Sequence, residues 1–323
     1  MKAISTALVT GGAGFVGSHL VEELIGEGIE TFVIDNLSTG SIENLWSIES
    51  DSLLHIIRGD LRESLASIPV GNKIDVVFHE AAIASVPTSI KNPEYVHEVN
   101  VNMTLDLMNY CVRHEIKRFI FASSAAVYGV VNGDVPETTL CRPASPYGAG
   151  KLAIEDYLHA YRVSFGLEPV MLRYFNIFGP RQKLGDYSGV ITIFIRDLLS
   201  NTRPTIMGDG LQTRDFVNVK DIVQANFLAM SSDEAVGQVF NVASGKSTTV
   251  IRIAEILRSA TGKNDLEFMF APARIGDVRN GRANIRKIRS SLGYSPSVPL
   301  EDGLSEVVEY LKDLQEVAPQ IGN

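Results

Sequence analysis

Thr10-Gly11-Gly12-Ala13-Gly14-Phe15-Val16-Gly17 follows a short apolar run, Thr6–Thr10, and opens a segment with helical periodicity, Gly14–Ile25. A strand that turns on glycines into a helix admits few folds. Glycines there permit a tight turn, close approach of backbone to a pyrophosphate, and packing of helix on strand. The helix start supplies free N–H groups and a positive dipole end, which together favour phosphate. Gly11, Gly14 and Gly17 are spaced three and three, unlike the G-x-G-x-x-G of many dehydrogenases, and Phe15 and Val16 fall in the first turn beside the same site. The feature constrains the chain to an α/β fold built on a parallel sheet that holds a dinucleotide.

The rest of the first half agrees. β-rich runs at Thr6–Thr10, Thr31–Asp35, Leu54–Arg58, Val76–His79, Arg118–Ser123 and Pro169–Tyr174 alternate with helical stretches that include Gly14–Ile25, Tyr95–His114 and Tyr147–Phe165. Such alternation predicts a Rossmann, doubly wound parallel sheet of at least six strands. After Gly179-Pro180 the segments shorten, with Gly208-Asp-Gly, Ala243-Ser-Gly and a basic stretch over 274–289. We therefore expect a dinucleotide-binding domain over 1–180. Residues 181–323 would be mainly a smaller C-terminal substrate-binding region, partly interleaved with the first.

Asp35 lies eighteen residues after Gly17, in Asp35-Asn36-Leu37-Ser38-Thr39-Gly40. A carboxylate at the end of a second strand accepts bonds from the adenosine ribose and repels a 2′-phosphate. The loop holds no Arg or Lys, so NAD is expected over NADP, with Asn36, Ser38 and Gly40 beside it. Asp60, followed by Leu61, is placed after the third strand to reach the adenine, and it could equally be a helix N-cap. Ala81 and Ala82 end the fourth strand with small side chains that leave room for a cofactor. Asn100 could hold backbone near the nicotinamide or be a buried helix polar residue satisfied by main chain. Tyr174 ends the sixth strand and joins the same group.

Chemistry enters with Ser124 and with Tyr147-Gly-Ala-Gly-Lys151. Four residues make about one helical turn, so Tyr147 and Lys151 project from one face. Ser145-Pro146 reads as N-cap and first-turn proline. A free tyrosine titrates near ~10, and bringing it to ~7 needs about 4 kcal/mol of preference for the phenolate. An ammonium ~4 Å away supplies roughly that at a surface-like effective dielectric, and the helix end adds to it. Ser124 would hydrogen-bond the reacting oxygen. A Tyr-x-x-x-Lys pair alone is ordinary helix surface; here it follows a glycine loop and a Ser closing the apolar run Arg118–Ala122.

Bulk properties narrow the partners. The chain has 323 residues, net charge −9, two cysteines and six histidines. The negative charge argues against nucleic acid or an anionic membrane. No apolar run approaches the ~18 residues of a membrane span. Cys111 and Cys141 form no ligand or disulfide framework, the histidines show no metal pattern, and a reducing cytoplasm is expected.

Taken as an ordered set, the glycine loop, Asp35-Asn-Leu-Ser38, Ser123-Ser-Ala-Ala-Val-Tyr-Gly129, Ser145-Pro-Tyr-Gly-Ala-Gly-Lys151, Arg173-Tyr-Phe-Asn176, Phe178-Gly-Pro-Arg-Gln182, Gly208-Asp-Gly210, Arg214-Asp-Phe216 and Gly276-Asp-Val-Arg279 resemble the extended short-chain dehydrogenase/reductases acting on nucleotide sugars. The nearest branch looks like the UDP-glucose 4-epimerase family, including its N-acetylhexosamine members. Relatives that eliminate water or decarboxylate carry an acidic residue beside the Ser/Thr; here Ala125 and Ala126 stand there and can do neither job.

The resemblance implies a bound NAD that is reduced and reoxidised in each turnover and a UDP-sugar substrate inverted at C4. It also implies a homodimer formed by a four-helix bundle around Tyr95–His114 and Tyr147–Phe165. Asn176 and the stretch 188–190, with Val190, would touch diphosphate and sugar. Arg214 and Arg274, with Arg279 as a further candidate, would neutralise the phosphates, and Asp277 would meet the ribose. Taken singly, each arginine could equally be a solvated surface charge. Members restricted to plain hexoses carry a tyrosine where this chain has Gly281, implying that N-acetylated sugars are accepted; a plain turn glycine is the alternative. A UDP-glucuronate 4-epimerase would use the same Ser/Tyr/Lys set, and a redox-sensing binding module would ordinarily have lost part of it.

Overall fold

The structure, a computed structural model, describes residues 4–68, 73–183, 189–273 and 279–317. Seven strands make one parallel sheet: β1 (Thr6–Thr10), β2 (Glu30–Asp35), β3 (Leu54–Arg58), β4 (Val76–His79), β5 (Arg118–Ser124), β6 (Glu168–Tyr174) and β7 (Val239–Val242). Their spatial order is β7-β6-β5-β4-β1-β2-β3. The order reverses between β1 and β4, and ligands of open α/β sheets bind outside the carboxyl ends of strands at such a switch point. The α/β, doubly wound expectation holds. The six expected strands are present within one residue at each end.

Alternation along the strands explains why both faces are covered. Ala7 and Val9, Val76 and Phe78, Ile120 and Ala122, Val170 and Leu172 point to one face. Leu8, Val77, Phe119, Phe121 and Met171 point to the other. A strand apolar on both faces needs helices on both sides. Helix α1 (Phe15–Gly26) covers the first face with Leu20, Val21 and Leu24. Helices α2 (Met103–Arg113) and α3 (Pro146–Phe165) cover the second with Leu107, Met108, Ile154 and Leu158. The expected continuous helix over 95–114 is instead a run of Pro93–His97, a π-helical turn Glu98–Asn102 and α2.

The second half is woven into the first. Helix α4 (Val219–Ser231) packs on the α1 face through Ile222, Ala225 and Ala229, and β7 pairs with β6. What remains forms its own core, with Phe194, Leu257 and Val307 from the helices Val190–Leu199, Val250–Ala260 and Leu300–Val317. Its strands are short pairs: Asn176–Phe178 with Phe216–Asn218, Thr213–Arg214 with Thr248–Thr249, Thr205–Met207 with Met269–Ala271, and Gly133–Val135 with Gly281–Ala283. Asp215, fully buried, gathers them. Its carboxylate accepts from the Ser244 amide (2.9 Å), the Ser244 hydroxyl (2.6 Å) and the Ala283 amide (3.1 Å). Among the described residues no helix is long and apolar enough to cross a membrane.

Candidate active site

The glycine loop closes directly onto the end of β4. Gly11 sits at φ +72°, and a Cβ there would lie 2.7 Å from the Ala81 nitrogen. A Cβ on Gly17 would lie 2.1 Å from the Gly11 carbonyl oxygen. Both positions therefore exclude any side chain, and the loop forms a close-packed backbone cradle at the end of β4. Gly14 is the N-cap of α1 without a side-chain cap bond, so the amides of the first turn, at Phe15 and Val16, face the cradle without a local side-chain acceptor.

Asp35 ties this loop to the one after β2. Its carboxylate accepts from the Ala13 amide (3.0 Å) and the Leu37 amide (2.7 Å). Asn36 donates to Asp60 (2.6 Å) and accepts from the Ser38 amide (2.9 Å). Asp60 occupies the N-cap position of Leu61–Ser64 but makes no side-chain cap bond there, so the N-cap alternative describes its position and not its bonding. The Leu61 side chain is buried in the core, which leaves only its backbone for a ligand. Asn100, in the π-helical turn, is buried and grips the backbone of Ile83 with both ends of its amide, accepting from N–H (2.8 Å) and donating to C=O (3.2 Å). It is satisfied by main chain and, by that same grip, shapes the segment carrying Ala81 and Ala82. Single π-helical turns inside helices are frequent at functional sites.

Ser124, Tyr147 and Lys151 come together at the end of β5. Ser145 caps α3 by accepting from the Gly148 amide (3.2 Å), with Pro146 in the first turn. That cap brings Tyr147 toward Ser124, whose hydroxyl acts to lower the phenol against the effect of burial. One turn on, the Lys151 ammonium donates to the Ala122 carbonyl (2.6 Å) and lies 6.0 Å from the centre of the Tyr147 ring. Burial pushes Lys151 down to about 8, against the pull of Glu80 and Glu155. Lysine is thus anchored to backbone beside the Tyr147 ring. In this arrangement burial dominates Tyr147 and raises it above the usual tyrosine range, with the Ser124 bond opposing.

Behind the trio, Glu155 accepts from Arg173 through both oxygens (2.6 and 2.9 Å) and from the Ser123 hydroxyl, fixing α3 against β5 and β6. His79 is buried between Thr10 (2.7 Å) and Thr104 (2.8 Å) and held down to about 3, hence neutral, by burial. Sequence reasoning passed over Glu80. It follows β4 directly, accepts from the Tyr174 hydroxyl (2.8 Å), and is pushed up to about 7 by burial. Tyr174 in turn accepts from Asn226 (2.8 Å). The only local signal was a carboxylate at the end of an apolar strand.

The second half contributes less defined groups. Asn176 donates to the Asp215 carbonyl (2.9 Å), Val190 opens its helix, and Arg214 donates to the Thr213 carbonyl (2.7 Å). Arg279, offered above for phosphate, makes a two-pronged ion pair with Asp209 (2.7 and 2.8 Å). The match of guanidinium fork to carboxylate explains that choice. Gly281 begins a strand beside Gly133 and has no positive φ, so it is not a turn glycine. Arg274 and Asp277 lie outside the described residues.

Comparison with known proteins agrees with this architecture. Residues 7–243 match the NAD dependent epimerase/dehydratase family. The chain is similar to the UDP-glucose 4-epimerase of Thermotoga maritima, solved with UDP-glucose: 38% identity, 96% of this chain and 99% of that one, TM-score 0.89. It is similar to the UDP-N-acetylglucosamine 4-epimerase of Methanobrevibacter ruminantium, solved with UDP-N-acetylmuramic acid: 40% identity, 97% and 100%, TM-score 0.90. It is also similar to the UDP-glucuronic acid 4-epimerase of Bacillus cereus, solved with UDP-glucuronic acid and NAD: 33% identity, 96% and 99%, TM-score 0.86. With the sheet, the glycine cradle and the Ser/Tyr/Lys cluster in place, the chain belongs to the NAD dependent epimerase/dehydratase family.

Proposed function

We propose that this protein is a UDP-hexose 4-epimerase that keeps NAD bound through its catalytic cycle, acting on UDP-glucose/UDP-galactose and on the N-acetylated pair. The observation that carries the reading is the gathering of Ser124, Tyr147 and Lys151 at the end of β5, with the Lys151 ammonium on the Ala122 carbonyl beside the Tyr147 ring, one strand from the switch point and the glycine loop. The cradle fits a dinucleotide because glycines at 11 and 17 let the turn close tightly on itself and on the end of β4, which allows backbone and helix start to approach a pyrophosphate. The first-turn amides of α1 would hold its pyrophosphate, and Asp35, Asn36 and Asp60 would hold its adenosine half. A bound NAD would supply the acceptor, and then the donor, of the C4 hydride.

The chain's own residues do the rest. Tyr147 removes the proton from the C4 hydroxyl as the carbon is oxidised and returns it on reduction. Ser124 holds the same oxygen, and Lys151 lowers the cost of the phenolate by its charge. Ala125 and Ala126 add no second acid, which suits oxidation and re-reduction at one carbon and not elimination. Asn176 and Val190 are assigned to the diphosphate and sugar, Arg214 and Arg274 to the phosphates, and Asp277 to the uridine ribose. Incubating the pure protein with UDP-glucose, UDP-N-acetylglucosamine and UDP-glucuronate and following 4-epimers by NMR tests the reading. Turnover of UDP-glucuronate alone would replace it with the glucuronate alternative.

We also propose a homodimer through the outer face of α3 and the preceding helices. Val101, Met108, Ile154 and Leu158 are buried within the protomer, whereas Ile90 (64%), Tyr95 (52%) and Tyr157 (44%) remain exposed. Light scattering should give twice the 35.2 kDa chain mass; a 35.2 kDa particle at micromolar concentration removes this assignment.

A further inference from the structure

Two strand registers converge on Glu80. His79 pairs with Phe121, so Glu80 stands beside Ala122, whose carbonyl receives the Lys151 ammonium. Tyr174 pairs with Ser124, and its hydroxyl donates to Glu80 at 2.8 Å while accepting from Asn226 at 2.8 Å. The carboxylate is thereby fixed at the junction of β4, β5 and β6, next to the lysine and the tyrosine.

Few other charges face this spot among the described residues. From α3 come Lys151, Tyr147 and Glu155; Glu155 is bound through both oxygens to Arg173 of β6, which cancels most of its field. From β6 comes Tyr174, and from α4 the uncharged Asn226. On its own strand His79 is locked neutral between two threonines. Glu80 is the carboxylate facing Lys151 and Tyr147 without a cation of its own.

We propose that Glu80 is a positioning residue for the Tyr147–Lys151 dyad: its negative charge makes both groups hold their protons more tightly. A nearby carboxylate stabilises the ammonium and destabilises the phenolate, so the two effects run in the same direction. Glu80 acts through Lys151 and Tyr147 and need not touch the substrate. Burial places its carboxyl near pH 7. The influence is accordingly absent well below that pH and complete above it.

The inference rests on the proposed role of Tyr147, so its test includes a readout independent of turnover. Glu80→Gln keeps an acceptor for Tyr174 and removes the charge. The alkaline limb of the kcat profile should move to lower pH by roughly one unit, while wild type and variant coincide below about pH 6. Separately, phenolate absorbance of Tyr147, taken as the difference from a Tyr147→Phe blank in each background, should show a midpoint lowered by roughly one unit. The blank removes the other tyrosines, among them Tyr128, Tyr174 and Tyr294, which burial also pushes up. Glu80→Asp, which keeps the charge, should hold both midpoints nearer the wild type than Gln does. An unmoved phenolate midpoint overturns the proposal, as does a Glu80→Asp profile coinciding with that of Glu80→Gln, or a fall in rate with unmoved limbs. If Tyr147→Phe stays active, the functional reading fails, yet the phenolate titration still decides the charge coupling.

Discussion

The N-terminal half presents its site residues from the ends of parallel strands of four to seven residues, whereas the C-terminal half presents them from strands of two or three. β5 and β6 are in register over seven consecutive pairs, ending at Ser124 and Tyr174. Beside Gly281, by contrast, the ladder has three pairs, and Asp215 does much of the joining. A long ladder fixes the height and facing of every side chain at its end, because one slip would move every residue of a strand to the opposite face of the sheet. A short pair fixes little beyond itself and can change without disturbing the sheet. Proton chemistry, which needs sub-ångström placement, belongs on the first kind of support, and sugar discrimination can live on the second.

This contrast can be attacked at several points. The largest effect should come from Tyr147→Phe, which keeps the α3 cap and the ladder but removes the proton carrier. General acid–base catalysis is worth ~10²–10⁴, so kcat should fall by about that factor with an unchanged circular dichroism spectrum. Retention of more than about a tenth of wild-type activity would sink the assignment. Next is Asp35→Ala, which strips the acceptor from the Ala13 and Leu37 amides. Leaving buried donors unpaired costs about 1–3 kcal/mol, so NAD copurifying with the protein should drop roughly ten- to a hundredfold and discrimination against NADP should relax. Undiminished NAD content, measured after denaturing the protein, would mean the loop is held by something else.

The smallest effect is the most selective. Gly281→Tyr adds bulk in the short-strand half without touching the ladder. Turnover of the N-acetylated pair should fall relative to the plain pair by about tenfold, the equivalent of ~1.4 kcal/mol. Equal loss on both substrates would show that position 281 supports the fold rather than the choice of sugar, and would blur the division drawn above.

The same division decided what could be read from the sequence. Six strands were legible because each is an apolar run bounded by turn residues, and Ser124, Tyr147 and Lys151 were legible because helix spacing and a local cap bring them to one face. β7 and the two- and three-residue strands carry no periodicity long enough to detect. The π-helical turn at Glu98–Asn102 was hidden because it needs no proline or glycine. Glu80 was missed for a different reason. Its bonding partner Tyr174 is 94 residues away, and nothing local marks a carboxylate as one that will be held by a distant hydroxyl. Asp215 stood inside a recognised motif, but its task of joining segments near 213, 244 and 283 exists only once they have met.

The late strand β7 has a consequence for how the protein is made. β6 is complete at residue 174, but the strand that covers its outer edge ends only at residue 242. At ~5–20 residues per second, a nascent chain would carry an open, apolar parallel edge for several seconds after every residue of the Ser/Tyr/Lys cluster has been synthesised. An unpaired edge of this kind is a template for association with another chain. Ribosome-bound chains halted near residue 180 should therefore be caught by holding chaperones, and release should coincide with emergence of Val239–Val242.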